Sequence, residues 1–127
     1  MEAGELESWA ARLGRSYELI RNADFPAWLR RIFPGRGAAR LGPDMVAINR
    51  RTRTIIVGDV TTRPGTMVPM TWRFARQQEA MHIERTVEYA RMVASRLPEE
   101  FRGFRIFAQE RYWQAGQRYS RRIPVRP

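Results

Sequence analysis

Two short stretches hold the residues best suited to chemistry, Pro43-Asp44 and Asp59-Val60-Thr61. They bracket two apolar, β-branched runs, residues 45–49 and 54–61, which flank Arg50-Arg51-Thr52-Arg53. Four polar residues between such runs predict an antiparallel hairpin. A register symmetric about that turn pairs Asn49 with Thr54 and, counting outward, Asp44 with Asp59. Opposed residues on one face have Cβ atoms about 4.5–5.5 Å apart, where like charges repel. A divalent cation reverses the sign of that argument, because it needs close carboxylates. Mg²⁺ takes one or two protein carboxylates and completes its octahedron with water and phosphate oxygens. Ile55, Val57, Asp59 and Thr61 alternate onto one strand face, so Thr61 points where Asp59 does. Either aspartate alone also reads as a solvated strand-end charge; it is the register that makes the pair a candidate metal site.

Further candidates sit later in the chain. Gln78 and His82 are four apart, with Glu79 beside them, and share one face of a predicted helix. His82 is the single histidine; a neutral imidazole there can activate water or bind metal, although a lone helix histidine also serves packing. Gln78 can orient water or touch a phosphate. The basic residues are all Arg, 23 of them against 13 acids, for a net charge of +10. Arg50, Arg51 and Arg53 crowd the hairpin turn, and Arg118, Arg121 and Arg122 lie in a tail that also holds Tyr112, Trp113 and Tyr119. Guanidinium groups pair with phosphate and rings stack on bases, so both clusters are candidate nucleic-acid contacts. The same rings can instead finish a core, with Arg stems covering apolar surface.

The elements that must position these residues follow from periodicity. Leu6, Trp9, Ala10, Leu13, Tyr17 and Ile20 recur at three and four, which predicts a helix over 5–21. Asp24 before Phe25-Pro26 opens a second, short helix through about Ile32. Residues 34–37 form a loop, 38–42 are available as an edge strand, and 62–71, with Pro64, Gly65 and Pro69, read as a loop. Ala80, Ile83, Val87, Ala90, Ala94 and Leu97 mark the buried face of a long helix over about 72–97, with Glu84, Arg85, Glu88 and Arg91 turned away. Residues 104–109 are a strand candidate, and 110–127 read as a basic, aromatic tail in which Trp113 belongs to the core and 118–126 are too polar and proline-broken to bury. The expected fold is α/β (α+β), a small mixed sheet of three to five strands flanked by helices in a single domain spanning 1–127.

Pro-Asp, a hairpin turn, then Asp-x-Thr at the end of an apolar strand resembles the restriction-endonuclease-like, or PD-(D/E)xK, nuclease superfamily. The likeness covers residues from about 5 to 109. It implies a core order α-β-β-β-α-β, metal-dependent hydrolysis of phosphodiesters, and Mg²⁺ or Mn²⁺ held by Asp44 and Asp59. It also implies a role for Glu18, at the position of an extra acid on the first helix of many members. The pattern departs at Thr61, where the superfamily carries Lys, and the chain has no Lys at all. A hydroxyl cannot supply a positive charge, and Arg supplies charge without a proton acceptor. Size, charge and motif together are similar to the nuclease domains of bacterial polymorphic toxins, which implies an acidic immunity protein as partner and delivery into a target-cell cytoplasm. An alternative is a nuclease-like module that binds nucleic acid, DNA ahead of RNA, without cutting it.

Composition trims the field. The absence of Cys excludes disulfide scaffolds, thiol catalysis and iron–sulfur clusters. A chain of 127 residues buries roughly two thirds of its unfolded surface, enough for one core. The positive charge calls for an anionic partner, first of all nucleic acid. No apolar run approaches membrane-spanning length and the acidic N-terminus lacks the layout of a signal peptide, so no membrane partner and a cytoplasmic location are expected.

Overall fold

Leu6 and Trp9 bury one side of the first helix, α1 (Glu2–Leu13), and Gly14 ends it. Gly14 adopts φ +83°, a left-handed conformation that closes a helix at little cost without a Cβ, and its N–H bonds back to Ala10 O at 3.2 Å. The helix predicted over 5–21 is therefore corrected: it stops at Leu13, and Glu18 lies on a strand, β1 (Glu18–Arg21). Tyr17 and Ile20 continue the apolar spacing of α1 by coincidence: three apart in extended chain, they face opposite sides, Tyr17 toward Leu6 and Trp9 and Ile20 toward the cluster under α2 and α3. In the computed structural model the backbone is described for residues 2–35, 41–63, 72–114 and 117–126, and side chains for 4–35, 41–61, 83–112 and 120–126.

Pro26 caps the short α2 (Ala27–Ile32), near its expected place. The hairpin follows as β2 (Met45–Asn49) and β3 (Thr54–Arg63), with Asn49 paired to Thr54 and Met45 to Gly58. One more step along that ladder sets Asp44 opposite Asp59, the register the sequence predicts. β3 extends through Thr62 and Arg63, residues read from sequence as loop; 64–71 lie outside the described residues. Of the proposed edge strand at 38–42, residues 38–40 are outside the described set and Leu41 and Gly42 are not in a strand.

The long helix, α3 (Trp72–Ser95), carries the chain back across the sheet, so β4 (Arg105–Gln114) pairs with β3 in parallel. The last strand, β5 (Gln117–Val125), pairs antiparallel with β4. Strands through Gln114 and from Gln117 to Val125 correct the reading of 110–127 as a tail. Ile123 and Val125 do alternate onto one face, but Arg121 shares that face and Pro124 lies between them, which hides the signal. The five strands form one mixed sheet in the order β1-β2-β3-β4-β5, with helices on both faces.

Val46, Ile48, Ile55, Val57, Ile106 and Ala108 pack under α2 and α3. Met45, Ala47, Ile56 and Val60 face the other way, against Leu6 and Trp9 of α1. Burial on both faces explains why β2 and β3 read as continuous apolar runs instead of alternating ones. On α3 the inward residues are Ile83, Thr86, Ala90 and Val93, so polar Thr86 belongs to the buried stripe and Val87 lies at its margin. Among the described residues no helix is long and apolar enough to cross a membrane.

At Gly58 the Trp9 ring of α1 lies directly against the backbone of β3. A Cβ there would meet Met45 Cε at 2.5 Å and Trp9 Cη2 at 2.6 Å. Gly58→Ala is expected to destabilise the protein by about 1–3 kcal/mol through overpacking, read as a lower midpoint in urea or heat. An unchanged midpoint would mean that α1 is not seated on β3.

Candidate acidic site

The far end of the β2–β3 hairpin, beyond its turn, gathers the acidic residues. Asp44 precedes β2 and Asp59 lies on β3, and the two carboxyl groups are close enough to hydrogen-bond one another. Backbone donors fix both: the Asp44 N–H donates to Asp59 Oδ1 at 3.0 Å, and the Val60 N–H to Asp44 Oδ2 at 2.7 Å. Asp59 is 3% exposed. Burial pushes its carboxyl above the ordinary aspartate range, against the pull of Arg85 and of its hydrogen bonds.

Glu110 is a third acid that sequence reasoning missed. It is the parallel register partner of Asp59 on β4 and is 1% exposed. Burial, with Asp59 beside it as the second cause, raises its carboxyl to about 8. Thr61 and Thr86 hydrogen-bond to it, and Oε1 has no hydrogen-bond partner among the described residues. The parallel crossover creates this meeting, and no local spacing announces it. One signal was present: a lone acid inside a strand-like, apolar-aromatic run.

Thr86 lies between the acids, with Oγ1 3.1 Å from Asp59 Oδ2 and 3.2 Å from Glu110 Oε2. A hydroxyl has one proton to give and lone pairs to receive. Both contacts are satisfied together when Glu110 is protonated, donates to Thr86, and Thr86 donates to Asp59. That hydrogen count agrees with the raised affinity of Glu110 for its proton, and Thr86 bridges the two acids.

Positive charge enters from α3. Arg85 Nε lies 3.8 Å from Asp59 Oδ2, and its side chain is about half exposed. Helical spacing had turned Arg85 away; the inward stripe through Thr86 places it at the edge of the acidic group instead. Thr61 is half-buried on the same strand face as Asp59, as expected. Arg121 on β5 is the register partner of Glu110 and is exposed.

Several expected residues lie elsewhere. Glu18 pairs with Ile48, four positions up the ladder from Asp44, roughly 13 Å at strand spacing. Arg50, Arg51 and Arg53 are at the opposite end of the hairpin, about 20 Å from Asp44 on the same measure. Two of these have structural partners: Arg50 lies 3.3 Å from Glu100 and over the Phe101 ring, and Arg53 lies over the Phe104 ring and donates to Arg102 O. Arg122 is on β5 opposite Gln109, so it lies on the other sheet face from Glu110. Gln78 and His82 are on α3, and Arg118 pairs with Trp113 on β5, but their side chains are outside the described residues.

Among the described residues no group of three or more His, Asp or Glu is arranged to hold a metal together. The Asp44–Asp59 pair nonetheless has the donor set a hard cation requires: two adjoining carboxyl groups, one of them desolvated. The buried Oε1 of Glu110 is a further oxygen in need of a partner. Comparison with protein-family models, curated proteins and solved structures gives no match.

Proposed function

We propose that this protein is a metal-dependent nuclease that hydrolyses phosphodiester bonds, with Asp44 and Asp59 holding Mg²⁺ or Mn²⁺. The observation that carries the reading is the meeting of two carboxyl groups across the hairpin, with a third buried acid behind them. A fold gains nothing from concentrating acids it must desolvate. The order α1-β1-α2-β2-β3-α3-β4-β5 differs from the restriction-endonuclease-like core by α2 after the first strand and by a fifth strand; what supports the likeness is the β2–β3 hairpin followed by a helix and a strand parallel to β3.

The cation supplies a Lewis acid and local positive charge. The protein's own groups do the rest. Asp59 is held by the Asp44 N–H and by Thr86, so its carboxylate is oriented before any ligand arrives. Thr86 bridges Asp59 to Glu110. Arg85 is exposed enough to reach a phosphate oxygen and supplies the charge that Thr61, in place of Lys, cannot. Arg121 extends positive potential along the same face. An acidic immunity protein would complement this surface if the domain acts as a toxin.

Incubating the protein with plasmid DNA and with RNA, in Mg²⁺, Mn²⁺ or EDTA, tests the proposal. Cleavage that requires the metal supports it. Arg85→Ala is expected to lower the rate by about 10²-fold, the scale for losing one transition-state donor, with Arg85→Lys recovering part of it. Thr61 in place of Lys favours a second reading, a module that binds without cutting. Salt-sensitive binding with intact substrate in every metal would establish that alternative and end the first.

A further inference from the structure

On the opposite face of the sheet from the acids, β4, β5 and α1 enclose a separate concavity of about 500 Å³. Its floor is two cross-strand pairs, Gln109 with Arg122 and Arg111 with Ser120. Its wall is Trp9 and Arg12 of α1. Three Arg and no acidic residue line it; Glu5, one turn before Trp9 on α1, is not part of the lining.

The floor is prearranged. Gln109 Nε2 donates to Ser120 Oγ at 2.9 Å, and Arg122 Nε donates to Gln109 Oε1 at 2.9 Å. Arg122 is thereby held through Nε, and its two terminal nitrogens make no hydrogen bond among the described residues. Arg111 is 3% exposed and lies 5.2 Å from the centre of the Trp9 ring, which places a fixed positive charge beneath the opening. The C-terminal end of α1 opposes an anion with about half a charge, less than the guanidinium groups of Arg12 and Arg122 supply.

We infer that this concavity binds the phosphate group of a small phosphate monoester, with Arg12 and Arg122 as its fork-shaped donors and Arg111 as the buried charge behind them; AMP serves as the probe. Guanidinium pairs match the planar spread of phosphate oxygens, and convergent cations suit a dianion better than a single carboxylate. The volume falls within the range of about 300–1,000 Å³ typical of small-ligand sites. This site is separate from the proposed metal pair and does not depend on it: Glu110 points to one face of β4, and its neighbours Gln109 and Arg111 to the other.

Calorimetric titration with AMP and with adenosine, in EDTA at low salt, tests the inference in the full chain. AMP is expected to bind saturably at one site per chain and adenosine not at all. The double variant R12A/R122A, at two exposed positions, should weaken AMP at least tenfold while keeping its thermal midpoint. Asp59→Asn should bind AMP as the parent does, so a failure of the nuclease reading leaves this result untouched. Absence of saturable AMP binding, equal binding of adenosine, or an unchanged affinity in R12A/R122A would overturn the inference. So would a poly-glutamate peptide that displaces AMP at lower concentration, since the surface would then be one for acidic protein.

Discussion

Asp59→Asn should remove metal-dependent cleavage, lowering the rate by about 10³-fold or more, while the protein stays folded. The size follows from the position of the residue: its carboxylate touches Asp44, Thr86 and Arg85 at once, so it organises both the proposed cation site and the charge that faces substrate. Losing one oxyanion-hole donor alone costs about 10²–10³-fold. Stability should move the other way or not at all. Burial already disfavours the charged form of Asp59, and an amide of the same shape keeps an oxygen for the Asp44 N–H. At pH 8 the variant's thermal midpoint should therefore match or exceed the parent's. Asp44→Asn should repeat the loss of cleavage through the other half of the pair. Parent-like cleavage by a folded Asp59→Asn protein would show that the two aspartates do not hold the catalytic cation.

How much of this was legible in the sequence depended on range. The hairpin and its register could be read because two β-branched runs around a four-residue polar turn leave one symmetric pairing, and Asp44 then meets Asp59 by counting. Apolar spacing overextends the first helix because Tyr17 and Ile20 fall three apart, although in extended chain they face opposite sides of the sheet; Gly14 is the stop signal, and its positive φ decides the matter. β5 is hard to read from sequence because Arg121 and Pro124 interrupt its apolar alternation, whereas pairing with β4 satisfies the backbone whatever the side chains are. Glu110 and Arg85 reach the site through the parallel β3–β4 pairing and the rotation of α3 about its axis. Both are long-range facts. A helical wheel ranks Thr86 as outward because it is polar, yet its hydroxyl is inside because two carboxyl groups are there to receive it.

The other large effect is a stability profile that declines as pH rises. Glu110 binds its proton up to about pH 8 in the folded protein and up to its ordinary value of 4.5 when unfolded. Between those limits the folded state holds more protons, so the free energy of unfolding falls as pH increases. The stabilising contribution is complete below about pH 4.5 and lost by about pH 8; Asp59, also raised, adds in the same direction. A tenfold gain in proton affinity on folding corresponds to about 1.4 kcal/mol, so the total is on the order of a few kcal/mol. In EDTA the thermal midpoint should drop by about 8–15 °C between pH 5 and pH 8.5. The net charge of +10 works against this trend, since repulsion among arginines eases slightly as remaining acids ionise. Glu110→Gln separates the two, because it removes the titration and leaves the global charge almost unchanged. It should flatten the profile and exceed the parent in midpoint at pH 8.5. Mg²⁺ should raise the parent's midpoint more at pH 8.5 than at pH 5.5, where protons occupy the carboxyl groups, and should raise Glu110→Gln less. Coincident profiles for parent and Glu110→Gln would show that Glu110 is not held protonated. A stable Glu110→Gln protein with impaired cleavage would show directly that this buried acid is kept for chemistry at the expense of the fold.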